Sequence, residues 1–252
     1  MPIKTLPAGS YAHSFCPGCG HGIVSRLLNE VIEETNQGRN VTVVAGVGCS
    51  CNLNHNNDNG KSMVNGDLFQ AAHGRAAATA TAMKHVRPDM LVVSYQGDGD
   101  GAVIGLAETL NAAYRNENIT VIFINNTNFG MTGGQMSWTT LPGEITTTSE
   151  KGRDCSVSGA PFHLPELIAR EFNVAYSARG SVHDARAVNE TKKMLRNAID
   201  AQLNNEGYSI VEVVIPCPTN LHLSPAKAIQ FVTDQALVEY PTGEFKKREV
   251  QS

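Results

Sequence analysis

The chain has 252 residues and a formal net charge of −4 with no basic stripe, a balance that argues against nucleic acid as its main partner. No apolar run approaches membrane-spanning length, and the opening MPIKTLPAGSYAHSF lacks the apolar centre of a signal peptide, so the expectation is a cytoplasmic protein with no membrane attachment. In a reducing compartment its six cysteines point to metal or redox chemistry rather than to disulfides.

A chain of this length buries a core without staples and reads as a single domain over residues 1–252, with an N-terminal arm at 1–15 and a fraying tail from about 241 to 252. FCPGCGHG puts Cys16 and Cys19 in a CxxC turn before an amphipathic helix over 21–36, where Ile23, Leu27, Leu28, Val31 and Ile32 share a face. A lone CxxC is ambiguous: no strand precedes it, as a thioredoxin-like pair requires, and zinc or an iron–sulfur cluster needs two more thiolates. Residues 41–46 read as a short buried strand ending in GVGCSC, which brings Gly48, Cys49, Ser50 and Cys51 to its C-terminal edge. The stretch NLNHNNDNGKSMVNGDLFQ reads as a loop or series of turns, with His55 a solvated residue without a role. An alanine-rich helix over 71–85 follows, its small side chains suited to close approach to a sheet or second subunit. His73 and Arg75 at its start read either as ligand or partner contacts or as a cap and a surface charge.

Residues 95–135 form the stretch on which the rest depends: strand, glycine-rich turn, helix, strand and a second polar turn, with both turns on one edge of a parallel sheet. Gly97, Gly99 and Gly101 free the first turn to approach a ligand closely, and Asp98 and Asp100 sit beside the N-terminus of the next helix. Val103, Ile104, Leu106, Leu110 and Ala113 are the expected buried stripe of that helix. The second turn follows the apolar run 119–124 and opens with Asn125 and Asn126. One carboxylate, one amide oxygen and one backbone carbonyl make half of an octahedral magnesium site, which leaves its other positions to phosphate oxygens and water. The implied ligand is a diphosphate.

Residues 143–161 are polar and irregular, a loop expected to be ordered by a partner or a cofactor. Helix 164–172, strand 174–178, helix 185–204, strand 209–215 and helix 225–237 then alternate, which implies an α/β fold with a parallel sheet covered by helices on both faces. The last of these strands ends in PCPTN with Cys217. A CxxC and single cysteines after two strands can converge at one sheet edge, and four thiolates suit a four-iron cluster or zinc; unligated cysteines are the third reading of the spacing.

GDG followed one crossover later by NN resembles the signature of thiamine diphosphate enzymes, in which the Asp of GDG and the second Asn hold the metal. The continuation FGMTGGQMSWTTLPGEITTTS is similar to the β subunit of the 2-oxoacid:ferredoxin oxidoreductases, where the loop typically reads YGMTGGQ before a Pro-Thr-Thr segment, and the resemblance runs from about Cys16 to the C-terminal region. It implies a thiamine diphosphate-binding fold with Mg²⁺ on Asp98, Asn126 and the carbonyl of Asn128. Gly48, Ser50, His73, Gly97, Gly99, Asp100, Gly130, Met131 and Thr132 are the further candidate cofactor contacts, with His73, Met131 and Thr132 towards substrate. Met131 and Phe129 read alternatively as core filling. The resemblance also implies one 4Fe-4S cluster on Cys16, Cys19, Cys49 and Cys217; Cys51 is an alternative to Cys49, and Cys155 has no counterpart.

The implied reaction is CoA-dependent oxidative decarboxylation of a 2-oxoacid to acyl-CoA and CO2, with electrons passed to ferredoxin. Branched-chain 2-oxoacids are favoured, then 2-oxoglutarate, then pyruvate; Phe129 for the usual Tyr and Trp138 for the usual Pro bear on that choice. The carboxylate that activates the cofactor is expected on a separate α subunit, with γ and ferredoxin-like δ subunits completing the assembly, so this chain alone should be inactive. The competing readings are a non-oxidative thiamine diphosphate decarboxylase or synthase subunit, which needs no cluster, and a zinc-stabilised scaffold subunit without catalysis.

Overall fold

A computed structural model of the chain describes residues 13–35, 38–54, 64 and 66–248. Residues 1–12 of the expected arm, His55 and most of the asparagine-rich loop lie outside the described residues. The first half carries α1 (His21–Thr35), β1 (Val41–Ala45), a 3-10 turn (Cys49–Asn54), β2 (Asp67–Gln70), α2 (Ala76–Val86), β3 (Leu91–Gly97), a π-helical turn (Gly99–Ile104), α3 (Leu106–Tyr114) and β4 (Thr120–Asn125). A two-stranded hairpin, β5 (Asn128–Phe129) and β6 (Gln135–Met136), leads to α4 (Cys155–Ser158), α5 (Leu164–Glu171), β7 (Tyr176–Ser181), α6 (Ala185–Leu203) and β8 (Ser209–Val214). The chain then runs through α7 (Pro225–Phe231), a second π turn (Val232–Ala236), α8 (Leu237–Glu239) and β9 (Gly243–Lys246).

Seven strands join in the order β2-β1-β3-β4-β8-β7-β9, all parallel except β9, which runs antiparallel to β7. Alternate residues of each strand divide between two cores. Val93, Tyr95, Ile122 and Ile124 pack with Leu28, Val31 and Ile32 of α1 and Leu195 and Ile199 of α6. Val92, Val121 and Phe123 pack with Ala76, Ala77 and Ala80 of α2 and with Leu164 and Ile168 of α5. Helices on both faces explain why β1, β4 and β8 are continuous buried runs rather than alternating ones. Among the described residues no helix is long and apolar enough to cross a membrane.

Several sequence expectations need correction. Ile23 is 40 % exposed and lies off the buried face of α1. Of the expected stripe, Leu106 and Leu110 pack half-buried against the core and Ala113 is buried, but Ile104 is exposed, because the helix opens with a π turn that inserts a residue and rotates the phase there. The end of the asparagine-rich loop is strand β2, whose polar Asp67 and Gln70 are tolerated because it pairs on one side only. The expected fraying tail contains β9, where Glu244 accepts a 2.6 Å hydrogen bond from the Tyr176 hydroxyl. The loop 143–161 is ordered by the chain itself. Its Arg153, 4 % exposed, donates to the carbonyls of Trp138 (2.9 Å), Ala160 (3.1 Å) and Gly159 (3.2 Å) and also to that of Thr140.

Candidate functional site

β1, β3, β4 and β8 end on one edge, so the turns that follow them share a crevice, and the order β2-β1-β3 puts its centre where the chain leaves β1 for the outer edge and returns on the other side. All twelve candidate cofactor contacts line this crevice: Gly48, Ser50, His73, Gly97, Asp98, Gly99, Asp100, Asn126, Asn128, Gly130, Met131 and Thr132. Gly99 is required by close approach, since a Cβ there would lie 2.3 Å from a ring carbon of Phe129.

Asp98, 2 % exposed, accepts from the Thr139 hydroxyl. Burial pushes its carboxyl up to about 7, against hydrogen bonds from Thr139, the Gly99 amide and Ser137. Opposite it, one end of the Asn126 side-chain amide lies 3.0 Å from Asp98 Oδ1 and 2.9 Å from the Asn128 carbonyl oxygen: with its nitrogen there it donates to both, and with its oxygen there three oxygens face one another. Three oxygens facing one another repel unless a cation sits among them. Magnesium–oxygen bonds of about 2.0–2.1 Å at right angles give oxygen–oxygen edges of about 2.9 Å, the size of the two separations that run from Asn126.

The backbone between these donors is strained to hold them. Thr127 has φ +65°, a left-handed conformation that β-branched residues avoid. Its amide donates to Asn125 Oδ1 at 3.0 Å, its hydroxyl to Glu144 at 2.7 Å, and its carbonyl accepts from the Thr140 hydroxyl at 2.5 Å. Asn125 is fixed in turn by its amide donating to Glu212 at 2.6 Å, and Glu212 by Arg179 at 2.6 Å. Arg179, wholly buried, also grips both oxygens of Glu166 at 2.6 Å. The turn that presents Asn126 is therefore braced from β8 and β7.

Asp100 lines the same crevice, but its oxygens are already engaged by the chain. Oδ1 meets His73 Nδ1 at 2.6 Å, the Gly74 amide at 2.8 Å and the Val47 amide at 3.3 Å, and Oδ2 accepts from Gln96 at 2.9 Å. Its work is to join three segments and to orient the His73 ring, which packs edge-on to Phe129 with centroids 6.3 Å apart. Arg75 is ion-paired with Glu108 of α3 and takes the surface reading. Met131 is 48 % exposed rather than core, and Thr132 is held by Gln135 beside it. The Ser50 hydroxyl is buried without a hydrogen-bond partner, an acceptor or donor left over for a polar ligand.

Cys16, Cys19, Cys49 and Cys217 come together behind this crevice. Burial pushes the Cys19 and Cys49 thiols up to about 12, with the neighbouring thiols adding to it, and burial likewise raises Cys217. Asp98 acts on both Cys49 and Cys217, which places the thiols next to the cation donors. Tetrahedral zinc at about 2.3 Å from each sulfur needs thiolates about 3.8 Å apart. Among the described residues no three His, Cys, Asp or Glu side chains are close enough to hold a single ion. Cys16, Cys19, Cys49 and Cys217 lie near enough for their charges to act on one another, and four thiols are the donor type a cluster takes.

Sequence reasoning missed His21, Thr139 and Glu144. His21 lines the crevice, donates or accepts at 3.0 Å with the Tyr95 hydroxyl, and is kept neutral by burial, which pulls it down to about 3. Thr139 lies 41 residues beyond Asp98 and Glu144 17 beyond Thr127, separations at which no local pattern marks a pairing.

The thiamine pyrophosphate enzyme family, by its C-terminal TPP binding domain, matches residues 46–213. The ketoisovalerate oxidoreductase subunit VorA of Methanothermobacter thermautotrophicus is 38% identical over 96% of this chain and 49% of that protein, so the chain spans about half its length. The 2-oxoglutarate synthase subunit KorB of the same organism is 35% identical over 93% of this chain and 78% of that protein. A solved 2-oxoglutarate:ferredoxin oxidoreductase from Magnetococcus marinus, with 2-oxoglutarate, coenzyme A and succinyl-CoA bound, shares the fold at a TM-score of 0.75 and 23% identity, covering 96% of this chain and 84% of that one. On its glycine-rich and asparagine turns, its sheet order and these relatives, the chain belongs to the 2-oxoacid:ferredoxin oxidoreductase family, among the thiamine pyrophosphate-binding subunits.

Proposed function

We propose that this chain is the thiamine diphosphate- and cluster-binding subunit of a cytoplasmic enzyme that converts a 2-oxoacid and CoA to acyl-CoA and CO2 and passes the electrons to ferredoxin. The observation that carries the reading is the adjacency of two donor sets, the oxygen face of Asp98, Asn126 and Asn128 and the four thiols of Cys16, Cys19, Cys49 and Cys217. Thiamine diphosphate supplies the electron sink for cleavage of the bond to the carboxylate. The oxygen face holds its diphosphate through Mg²⁺, and the Ser50 hydroxyl lies free to bind a diphosphate oxygen. Asp100 takes no part in ligation and instead keeps the His73 ring at the crevice wall. Phe129 and Met131 form the apolar side that limits water at the reacting centre.

A non-oxidative enzyme has no use for thiols placed beside the cation face. The carboxylate that activates the cofactor comes from an α-type partner, and γ and ferredoxin-like δ subunits complete the enzyme. A branched-chain 2-oxoacid is favoured over 2-oxoglutarate by the higher identity to the ketoisovalerate subunit. Anaerobic purification of the chain with its partners from its host, followed by iron, sulfide and thiamine analysis and by ferredoxin reduction with 2-oxoisovalerate and 2-oxoglutarate, tests this. Iron, sulfide and thiamine with CoA-dependent ferredoxin reduction are expected. Zinc without thiamine would replace this reading with that of a scaffold.

A further inference from the structure

Asn126 faces both donor sets with one planar group. One end of its amide lies 3.0 Å from Asp98 Oδ1 and 2.9 Å from the Asn128 carbonyl, and it is the middle member of the oxygen face when the oxygen occupies that end. Its side-chain nitrogen then points the other way, to the Cys217 sulfur, which also receives the Asn220 amide. The same nitrogen and the Cys49 sulfur each lie 3.0 Å from the point where a Cβ on Gly130 would sit, so the amide edge lies among the thiols. The main chain around it is fixed, because the Asn126 carbonyl accepts from Asn128 Nδ2 at 2.8 Å.

With the backbone held, the remaining freedom is a half-turn of the amide, and the two orientations do opposite things. With oxygen towards Asp98, the three oxygens form a cation site and the N–H is offered to Cys217. With nitrogen towards Asp98, it donates to Asp98 Oδ1 and to the Asn128 carbonyl, filling the cation position with protons, and the oxygen then faces Cys217. A cation stabilises the first orientation and opposes the second. A negatively charged cluster sulfur does the same, because it attracts the N–H and repels the oxygen.

We propose that the Asn126 amide couples the two sites, so that filling the cation site with Mg²⁺ and thiamine diphosphate tightens the hold of the four cysteines on their cluster, and the loaded cluster tightens cation and cofactor binding by the same factor. The reciprocity follows from linkage: a group that stabilises one orientation at one end of the amide stabilises it at the other. This inference rests on the thiamine and cluster reading above.

The test uses the assembled enzyme, purified anaerobically, and follows iron release to a chelator with and without Mg²⁺ and thiamine diphosphate. In the wild type, release slows on the order of fivefold or more when the cofactor is bound. Asn126→Asp keeps an oxygen for the cation but presents no N–H to Cys217, so it binds cofactor yet releases iron at one rate in both conditions. Equal slowing in Asn126→Asp and the wild type overturns the proposal. So does a wild-type enzyme that binds thiamine diphosphate but releases iron at a cofactor-independent rate, an outcome that needs no variant to fold. An enzyme without iron and sulfide defeats the functional reading itself and is recognised before any rate is measured.

Discussion

Asp98 is a carboxylate that the folded chain accommodates poorly on its own: burial pushes it up to about 7, and its protein partners are hydroxyls and amides without a positive charge. Such a group is retained for what it binds, and removing it should leave the fold intact. Asp98→Asn and Asp98→Ala are therefore expected to fold with unchanged circular dichroism and to lose at least about 100-fold in Mg²⁺-dependent thiamine diphosphate affinity by calorimetry, since even partners one step removed from a metal are worth 10–100-fold. Unaltered affinity would refute the cation face. Cys217→Ser is expected to lower iron content in the purified enzyme, and full retention would remove that ligand from the set. That Asp98, Asn126, Cys49 and Cys217 meet at one edge was legible because each lies in a turn after an apolar run, and turns after parallel strands share an edge. Thr127 was not, because nothing in a threonine announces φ +65°; the conformation is imposed by Glu144 and Thr140 from another part of the chain.

At the level of elements, β7 and β8 brace the asparagine turn through a buried ion network. Arg179 joins Glu212 and Glu166 and lies between the rings of Tyr240 and Phe245, each 5.1 Å from its guanidinium carbon. Arg179→Met leaves two carboxylates without their counter-charge and should cost about 3–5 kcal/mol in denaturant unfolding. His163 and Glu166 give the same region a pH signature. Hydrogen bonding to Glu166 holds His163 above its usual range, opposed by burial and helped by Glu239. Its contribution to stability is thus full below about 6.5 and is lost as pH rises through the raised folded value. Burial alone would raise Glu166, but His163 and Arg179 prevail and bring it down to about 2, so its contribution is full above about 4.3 and lost as pH falls towards 2. Unfolding midpoints should therefore decline on both sides of roughly pH 4.5–6.5. His163→Gln should abolish most of the alkaline decline and reduce the acid limb to the part owed to Arg179; an unchanged alkaline limb would assign it to another group. These strands were readable as strands from their apolar residues, but the pairing of Glu212 with Asn125 was not, since a charged residue in a buried strand shows its purpose only once its neighbour across the sheet is known.

For the whole molecule, the order of alternating helices and strands was enough to infer a parallel sheet with its chemistry on one edge, whereas both sheet margins escaped. β2 and β9 are short, polar and paired on one side, so they carry little of the apolar signal that marks central strands. Ending the chain before β9 should cost at least about 2 kcal/mol and promote self-association, because it strips Phe245 from Arg179 and leaves the edge of β7 open. Light scattering beside a denaturation curve measures both; a monomer of wild-type stability would show β9 to be dispensable. The carboxylate of Asp100 has a different reach. It is the common acceptor for the Val47 and Gly74 amides, which belong to turns on separate strands, and for the side chains of His73 and Gln96. An amide trades its hydrogen for deuterium only while its bond is open. Two amides that end on one oxygen of a carboxylate anchored by His73 and Gln96 are released by the same event, so they should exchange with a common rate constant that Asp100→Asn splits in two. The walls of the crevice then keep one clock, and an arriving cofactor meets a mouth that is either wholly shaped or wholly open.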